Sequence, residues 1–164
     1  MNKKRIFIIM GVSGTGKSTI GKLLGQKLDV PFFDGDDFHP ERNILKMKSG
    51  QPLTDEDRKD WLLALNELAK TQQKSNGGII ACSALKQVYR DMLNAELDPS
   101  LVFIFLEGSF ELISSRMQAR KDHFMPVDLL RSQFDTLEVP EDAIYADISK
   151  SPDKIVGDII QELS

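Results

Sequence analysis

The amino-acid sequence predicts an α/β protein in which helices cover both faces of a parallel β-sheet. Short apolar runs alternate along the chain with longer segments whose apolar residues recur at helical spacing, and this alternation is typical of strand–helix–strand units. The chain has 164 residues, which is close to the usual size of one domain, and it contains no internal repeat, low-complexity tract or linker. We therefore expect a single domain over residues 1–164.

Five short apolar runs are the predicted strands, and the segments between and after them are the predicted helices. The strands are expected at residues 6–10, 31–33, 79–82, 101–106 and 143–148. Two helices have clear N-terminal signals, because Thr54 precedes an acidic first turn that suits the helix dipole and Ser151 precedes a proline at the first helical position. The apolar faces of the other helices contain Ile20 and Leu24, Val88 and Met92, and Ile113 and Met117.

Two long polar stretches interrupt this alternation. One runs from Asp34 to Leu53, and the other runs from Arg120 to Asp128. Long connections on a rigid α/β scaffold are where binding loops and lids usually lie. We therefore expect the first stretch to border a ligand site and the second to begin a mobile lid at about residues 120–136.

Composition and charge argue against several classes of protein. The chain has 21 Lys and Arg against 25 Asp and Glu, and a net charge of −4 is unlike that of a general nucleic-acid binder. No stretch of the sequence approaches the roughly 18 apolar residues of a membrane span. The single cysteine, Cys82, cannot form an internal disulfide, which fits a reducing compartment. We expect a soluble, cytoplasmic protein without nucleic-acid or membrane partners.

The strongest functional signal is a glycine-rich turn between the first predicted strand and the first predicted helix. Residues 11–18 match the G-x-x-x-x-G-K-[ST] phosphate-loop motif. In that motif backbone N–H groups surround phosphate oxygens, so Lys17 would reach the β- and γ-phosphates and Ser18 would ligate Mg²⁺. The predicted site for ATP comprises Gly11, Val12, Ser13, Gly14, Thr15, Gly16, Lys17, Ser18 and Thr19.

A phosphate loop alone does not separate an enzyme from a molecular switch. A GTPase switch would need Asp-x-x-Gly and Asn-Lys-x-Asp strings, and neither occurs in the sequence. An ATP-driven mechanical or DNA-acting module would normally bring further domains, for which 164 residues are few. A small kinase and a catalytically silent nucleotide-binding module are the two classes left.

Polar residues follow the second and third predicted strands, where side chains face the ligand crevice of a parallel sheet. Asp34 would hold Mg²⁺ through water, and Asp36 would accept the proton of an attacking hydroxyl group. His39 would either contact the acceptor or cap the loop. Ser83, which follows the third strand, would face the same crevice.

Basic residues lie at two places where an anion could bind. An anionic acceptor is best read by arginine, whose guanidinium binds both oxygens of a carboxylate, so Arg58 is the first candidate, ahead of Lys86 and Arg90. Arg116 and Arg120 are four residues apart and therefore share a helix face.

Arg116 would stack on adenine, and Arg120 would clamp the transferring phosphoryl group. We assign His123, in the same polar stretch, to the acceptor. The open alternative is that this basic helix end is solvated and only offsets the helix dipole.

Longer strings resemble the gluconokinase family of small P-loop kinases, which is related to the shikimate kinases. The phosphate loop is common to all P-loop proteins, so the later strings carry the resemblance, and together they span nearly the whole chain. The most specific strings are Asp34-Gly35-Asp36-Asp37-Phe38-His39-Pro40, Gly50-Gln51-Pro52-Leu53-Thr54-Asp55-Glu56-Asp57-Arg58, Cys82-Ser83-Ala84-Leu85-Lys86, His123-Phe124-Met125-Pro126 and Ser132-Gln133-Phe134.

The resemblance implies a five-stranded parallel sheet with flanking helices, a mobile lid and often a homodimer. It also implies transfer of a phosphoryl group from ATP to D-gluconate, giving ADP and 6-phospho-D-gluconate. Catalysis is expected from Lys17, Asp36 and Arg120, and metal binding from Ser18 and Asp34. The residues expected to contact gluconate are Asp36, His39, Arg58, Ser83, Lys86, Arg90 and His123.

Two alternatives to gluconate phosphorylation stay open at this point. One is a kinase for another small hydroxy acid such as shikimate. Shikimate kinases usually carry Gly-Gly-Gly after the third strand, where this chain has Cys82-Ser83-Ala84. The other alternative is the catalytically silent nucleotide-binding module.

Overall fold

The computed structural model describes residues 4–119 and 127–164. Within them five strands form one sheet, and all neighbouring strands are parallel in the order β2–β3–β1–β4–β5. The strands are β1 (Ile6–Met10), β2 (Phe32–Asp34), β3 (Gly78–Ala81), β4 (Val102–Glu107) and β5 (Ile144–Asp147). The predicted sheet is confirmed, and each observed boundary lies within one residue of the predicted one.

Seven α-helices of the described residues flank this sheet. They are α1 (Lys17–Leu28), α2 (Glu41–Lys48), α3 (Asp55–Gln73), α4 (Gln87–Leu93), α5 (Phe110–Ala119), α6 (Val127–Thr136) and α7 (Pro152–Leu163). The helix start predicted at Thr54 is a capping box, in which Thr54 Oγ1 accepts from Asp57 N–H and the Asp57 carboxylate accepts from Thr54 N–H. Ser151 caps α7 by accepting from Lys154 N–H.

The sheet separates two apolar layers because alternate side chains of a strand point to opposite faces. Ile9 of β1 lies in one layer, together with residues of α1, α5 and α7. Ile8 lies in the other layer, together with Trp61 of α3 and Tyr89 of α4. Every residue of β1 is buried, since this central strand is covered on both faces. The fold therefore holds the phosphate loop on a rigid central strand.

The polar stretch after β2 contains more regular structure than the sequence predicts. A 3₁₀ helix spans Gly35–Phe38, with Asp34 as its N-cap, and α2 begins directly after Pro40. Apolar patterning does not mark the bounds of α2, because the helix is short and its one buried residue, Asn43, is polar.

The expected lid falls partly on residues 120–126, which lie outside the described residues, and its remainder forms α6. The described helices include none with the length and apolar character needed to cross a lipid bilayer.

Candidate active site

Three functional segments meet at the carboxyl edge of the sheet. The phosphate loop follows β1, the acidic 3₁₀ helix follows β2, and residues 82–86 follow β3. Because β1 lies next to β3 and β3 lies next to β2, parallel pairing brings the ends of these three strands to the same side of the molecule. Such a crevice is the usual ligand site of an open α/β sheet.

The phosphate loop needs glycine at several positions. Gly11, Gly14 and Gly16 have φ angles of 143°, 83° and 93°, in the region that disfavours other residues. At Gly14 a side chain is excluded for a second reason, because a Cβ atom would lie 2.7 Å from Cγ of Met117 on α5. The loop ends at Lys17, the first residue of α1, so its N–H groups lie at the positive end of that helix.

Lys17 is held against the loop that precedes it. Its Nζ atom donates to the carbonyl oxygens of Gly11 and Val12, each at 3.0 Å. Burial lowers the pKa of Lys17 to about 8, while the negative charges of Asp36 and Asp34 oppose that shift. The side chain is therefore mostly protonated at neutral pH, and its charge interacts with those of the two carboxylates.

Asp34 and Asp36 have different surroundings although one residue separates them. Asp34 Oδ1 accepts a hydrogen bond from Asp36 N–H at 3.0 Å, which fixes the turn into the 3₁₀ helix. The Asp36 side chain is 84% exposed at the mouth of the crevice. Partial enclosure by the protein and the nearby Asp34 carboxylate raise the pKa of Asp36, and Lys17 acts in the opposite direction. A carboxylate with a raised pKa is a better proton acceptor.

A cavity of about 770 Å³ opens beside these groups, a size that suits a small-molecule ligand. Apolar side chains of α2 and α6, including Met47 and Leu129, form part of its wall. The predicted site residues that line it are Ser13, Asp36, His39, Arg58, Ser83 and Lys86.

The cations of the cavity differ in their partners. Lys86 forms an ion pair with Asp55, with Nζ 3.0 Å from Oδ1. Arg58 has no carboxylate partner among the residues that the structure describes, and its guanidinium lies over the Tyr89 ring at 5.4 Å from the ring centroid. The Nε atom of Arg58 is buried and has no hydrogen-bond partner among residues 4–119 and 127–164. Arg58 is therefore the cation most available to an anionic ligand.

Arg90 does not line the cavity, contrary to its assignment as a gluconate contact. Its guanidinium donates to the carbonyl oxygens of Ala84 at 2.7 Å and Glu138 at 2.8 Å, and Arg90 is buried. Arg90 thus joins the loop after β3 to the segment after α6. Arg90 does not reach the cavity because its position on α4 points the side chain toward the segment after α6.

Arg116 of α5 contacts the segment that follows β5. Its Nη2 atom donates to the carbonyl oxygen of Ile148 at 2.6 Å, which places the guanidinium beside the turn that follows β5. If Arg116 stacks on adenine, as the sequence analysis expects, the base would lie beside this turn. Arg120 and His123 lie outside the described residues.

Several residues at the site are not assigned by the sequence analysis. Gln133 of α6 contacts the phosphate loop twice, since its Oε1 accepts from Ser13 N–H at 2.7 Å and its Nε2 donates to Ser13 Oγ at 3.1 Å. Trp61 donates from Nε1 to the carbonyl oxygen of Gly35 and stacks on His39. The Ser132-Gln133-Phe134 string pointed to Gln133 as a family feature, but no local pattern predicts a contact across 120 residues.

The only cysteine of the chain, Cys82, is buried at the end of β3. Burial raises the pKa of its thiol to about 12. A thiol that stays protonated is a poor nucleophile, so the structure gives Cys82 a packing role.

The donors near the phosphate loop suit Mg²⁺. This ion usually takes one or two protein oxygens and completes its shell with water and substrate phosphates. Ser18 supplies a hydroxyl at the start of α1, and Asp34 supplies a carboxylate whose charge acts on the adjacent Lys17. Within residues 4–119 and 127–164, no three His, Cys, Asp or Glu side chains could hold a metal ion as a group.

Comparison with known proteins defines the class of this chain. The family model described as "Shikimate kinase" matches residues 13–163, which is most of the chain. The parallel sheet and the phosphate loop at the end of its central strand agree with that match. The chain therefore belongs to this group of P-loop kinases.

More similar proteins define the family within that group. The chain is 46% identical over 161 residues to the thermoresistant gluconokinase of Escherichia coli K12, with 95% of this chain and 91% of the relative covered. It is 51% identical to the thermosensitive gluconokinase of the same organism, with 82% and 72% covered. A solved gluconokinase from Sinorhizobium meliloti 1021 is 38% identical and superposes with a TM-score of 0.88, over 99% of this chain and 93% of that chain. The chain belongs to the gluconokinase family, which confirms the resemblance seen in the sequence.

Proposed function

We propose that this protein transfers the γ-phosphoryl group of ATP to the primary 6-hydroxyl of D-gluconate, giving ADP and 6-phospho-D-gluconate. The gluconokinase relatives at 46% and 51% identity support the reaction. At the site, one observation carries the proposal: the cavity beside the phosphate loop combines Asp36, a candidate base, with Arg58, a cation without a carboxylate partner among the described residues. An open-chain polyol with one carboxylate needs that pair of groups.

In the proposed reaction the oxygen of the acceptor hydroxyl forms a bond to the γ-phosphorus while the bond from that phosphorus to the bridging oxygen of ADP breaks. The hydroxyl proton passes to the Asp36 carboxylate, and ADP leaves with the electron pair of the broken bond. The raised pKa of Asp36 supports its role as proton acceptor. Arg58 would bind the gluconate carboxylate at the far end of the acceptor.

Positive charge near the phosphate loop would stabilise the charge that develops during transfer. Lys17, whose ammonium group now contacts two loop carbonyl oxygens, would turn to the β- and γ-phosphates. Ser18 and Asp34 would hold Mg²⁺, which supplies charge neutralisation on the phosphates when it is bound. Arg116, which donates to the carbonyl oxygen of Ile148 beside the turn after β5, would contact adenine. The clamp by Arg120 and the acceptor contact of His123 stay predictions.

A coupled assay of ADP release tests the reaction against both alternatives. The purified protein would be given ATP and Mg²⁺ with D-gluconate, shikimate or an uncharged polyol such as sorbitol. Of the three acceptors, we expect only gluconate to give rapid ADP release. Faster release with shikimate would contradict the proposed acceptor, and ATP binding without release in the presence of any acceptor would indicate a silent nucleotide-binding module.

The expected homodimer and cytoplasmic location also belong to this proposal. The family resemblance supports the homodimer, and the single buried thiol of Cys82 fits a reducing compartment. Sedimentation analysis of the purified protein would test the oligomeric state.

A further inference from the structure

A buried chain of polar groups runs from α3 through α2 to the acceptor cavity. Asn43 Nδ2 donates to the carbonyl oxygen of Asp57 at 2.9 Å and lies 3.3 Å from Nδ1 of His39. On the other side of the imidazole ring, His39 Nε2 is 3.9 Å from Oδ1 of Asp36. Asn43 is buried, and only 4% of the His39 side chain is exposed.

The backbone carbonyl of Asp57 decides the orientation of the Asn43 amide. A carbonyl oxygen only accepts hydrogen bonds, so the amide atom beside it must be the nitrogen. The reverse orientation would place two acceptor oxygens against each other in a buried space. The native orientation leaves Asn43 Oδ1 buried without a partner among the described residues, which carries the desolvation penalty of an unsatisfied acceptor.

The orientation of the Asn43 amide then decides the tautomer of His39. The second hydrogen of Asn43 Nδ2 faces His39 Nδ1, which must therefore be an acceptor without a hydrogen. In a neutral imidazole the proton then resides on Nε2. Burial, together with the positive charge of Arg58, lowers the pKa of His39 to about 4, which agrees with a neutral ring.

Stacking fixes the direction of the Nε2–H bond. The His39 ring lies on Trp61 with a centroid distance of 4.1 Å and an interplanar angle of 16°. Trp61 is itself held by its hydrogen bond to the carbonyl oxygen of Gly35, at 2.8 Å, inside the 3₁₀ helix that carries Asp36. The ring is thus restrained in its plane by Trp61 and at one edge by Asn43, and its Nε2 edge faces the Asp36 carboxylate.

We propose that Asn43 is a positioning residue, which holds His39 as the Nε2–H tautomer so that this hydrogen orients the Asp36 carboxylate toward the acceptor hydroxyl. The role given to Asp36 rests on the proposed function. When the acceptor binds, Nε2–H of His39 would donate to one carboxylate oxygen of Asp36, which lies 3.9 Å away in this structure, and the other oxygen would be directed to the hydroxyl that loses its proton. His39 thereby acts on Asp36, whereas the sequence analysis assigns it to the acceptor itself.

The tautomer is measured directly by two-dimensional NMR of the ring nitrogens after labelling with ¹⁵N-histidine. The chain has two histidines, and a His123→Gln variant assigns the signals of His39. We expect the neutral Nε2–H pattern for His39 at pH 7. In Asn43→Ala the restraint on Nδ1 is lost, and we expect a mixture of the two tautomers. An Nδ1–H pattern in the unchanged protein, or an unaltered His39 pattern in a folded Asn43→Ala variant, would overturn the proposal.

Kinetics of two His39 variants add an independent test that does not depend on Asn43. His39→Gln keeps an N–H donor near the Nε2 position, whereas His39→Phe keeps the stacking on Trp61 but cannot donate. We expect His39→Phe to lower kcat by about tenfold more than His39→Gln, with little change in the KM for ATP. Equal kcat values for the two variants would contradict the proposal.

The failure of this inference and that of the proposed function are distinguishable. If Asp36 is not the proton acceptor, Asp36→Asn keeps its kcat, whatever the tautomer of His39. If only the inference fails, Asp36→Asn loses activity while the NMR pattern contradicts the assigned tautomer.

Discussion

Asp34 uses one carboxylate oxygen to hold the turn that presents Asp36, and this division of contacts decides which of the two is available for chemistry. Asp34 Oδ1 accepts from Asp36 N–H, whereas Asp36 itself projects into the crevice with a raised pKa. A mobile base would lose part of its effect, because general-base catalysis depends on a carboxylate held within reach of the proton. The two residues therefore predict different kinetic defects.

Asp36→Asn should lower kcat by roughly 10²-fold or more, because the amide keeps the size of the carboxylate but cannot accept the hydroxyl proton. That loss corresponds to about 2.7 kcal/mol in the activation barrier. The KM for ATP should change little, and steady-state kinetics with saturating gluconate measure both values. Asp37→Asn, at the exposed neighbouring position, is the control. If Asp34→Asn proves more damaging to kcat while Asp36→Asn is nearly silent, the two roles are reversed.

Arg58→Ala should raise the KM for gluconate about 10- to 100-fold, since hydrogen bonds to a charged group contribute roughly 1.5–3 kcal/mol. Lys86→Ala is the matched comparison and should have a smaller effect, because Asp55 already pairs with that ammonium group. The KM values for gluconate and for sorbitol are compared in each variant. An equal increase for the uncharged polyol would refute the assignment of Arg58 to the carboxylate.

At the scale of elements, α6 and the phosphate loop are joined by a pair of hydrogen bonds between Gln133 and Ser13. The two bonds use both ends of one amide group and therefore fix its orientation. The same face of α6 lines the acceptor cavity through Leu129 and Thr136. A change in the position of α6 thus alters both the phosphate loop and the wall of the cavity.

Gln133→Ala should weaken this link and lower kcat/KM for both ATP and gluconate, because the loop and the cavity wall lose a common restraint. In a double-mutant cycle with Ser13→Ala, unfolding free energies should show a coupling of about 0.5–3 kcal/mol, as is typical of residues in contact. Asp135→Ala, on an exposed position of the same helix, is the control. Because Ser13→Ala keeps the backbone N–H, additive effects of the two substitutions would show that the bond from Gln133 to Ser13 Oγ contributes nothing to the link.

The elements also show what a sequence reveals and what it does not. The strands were predictable to within one residue because buried parallel strands are short apolar runs bounded by polar turns. The phosphate loop was predictable because its spacing follows from the chemistry of phosphate binding. In contrast, α2 has little apolar patterning, and the direction of Arg90 depends on the packing of α4 against distant segments.

The meeting of several candidate residues at one cavity was predictable to a similar degree and for the same reasons. Asp36, Arg58 and Ser83 line one cavity because strand ends and helix starts are placed by the sheet topology. The contact between Asn43 and His39 could not be predicted, since it depends on how α2 packs against the backbone of α3.

At the scale of the whole molecule, the buried His39 couples folding to pH. Its pKa falls from an ordinary 6.5 to about 4 in the folded protein, chiefly because of burial. Between these two values the unfolded chain binds a proton more readily than the folded chain does. The contribution of His39 to stability is therefore complete above pH 6.5 and is lost progressively as the pH falls toward 4.

His39→Gln should remove this part of the pH dependence, because glutamine does not titrate. The difference in unfolding free energy between the two proteins should change by on the order of 1–3 kcal/mol between pH 7.5 and pH 4.5. Urea titrations at several pH values measure it. Parallel stability curves for the two proteins across that range would show that His39 is not neutral and buried in the folded state.

The burial of Cys82 has a practical consequence for experiments on motion. Maleimide dyes react with thiolates, and a thiol that is enclosed and protonated at neutral pH gives them no target. A cysteine introduced at an exposed position, such as Asp135→Cys on α6, would therefore take a fluorophore without removal of the native one. With a second dye placed on α1 at Lys22→Cys, single-molecule energy transfer would report whether α6 moves relative to α1 when nucleotide and acceptor bind.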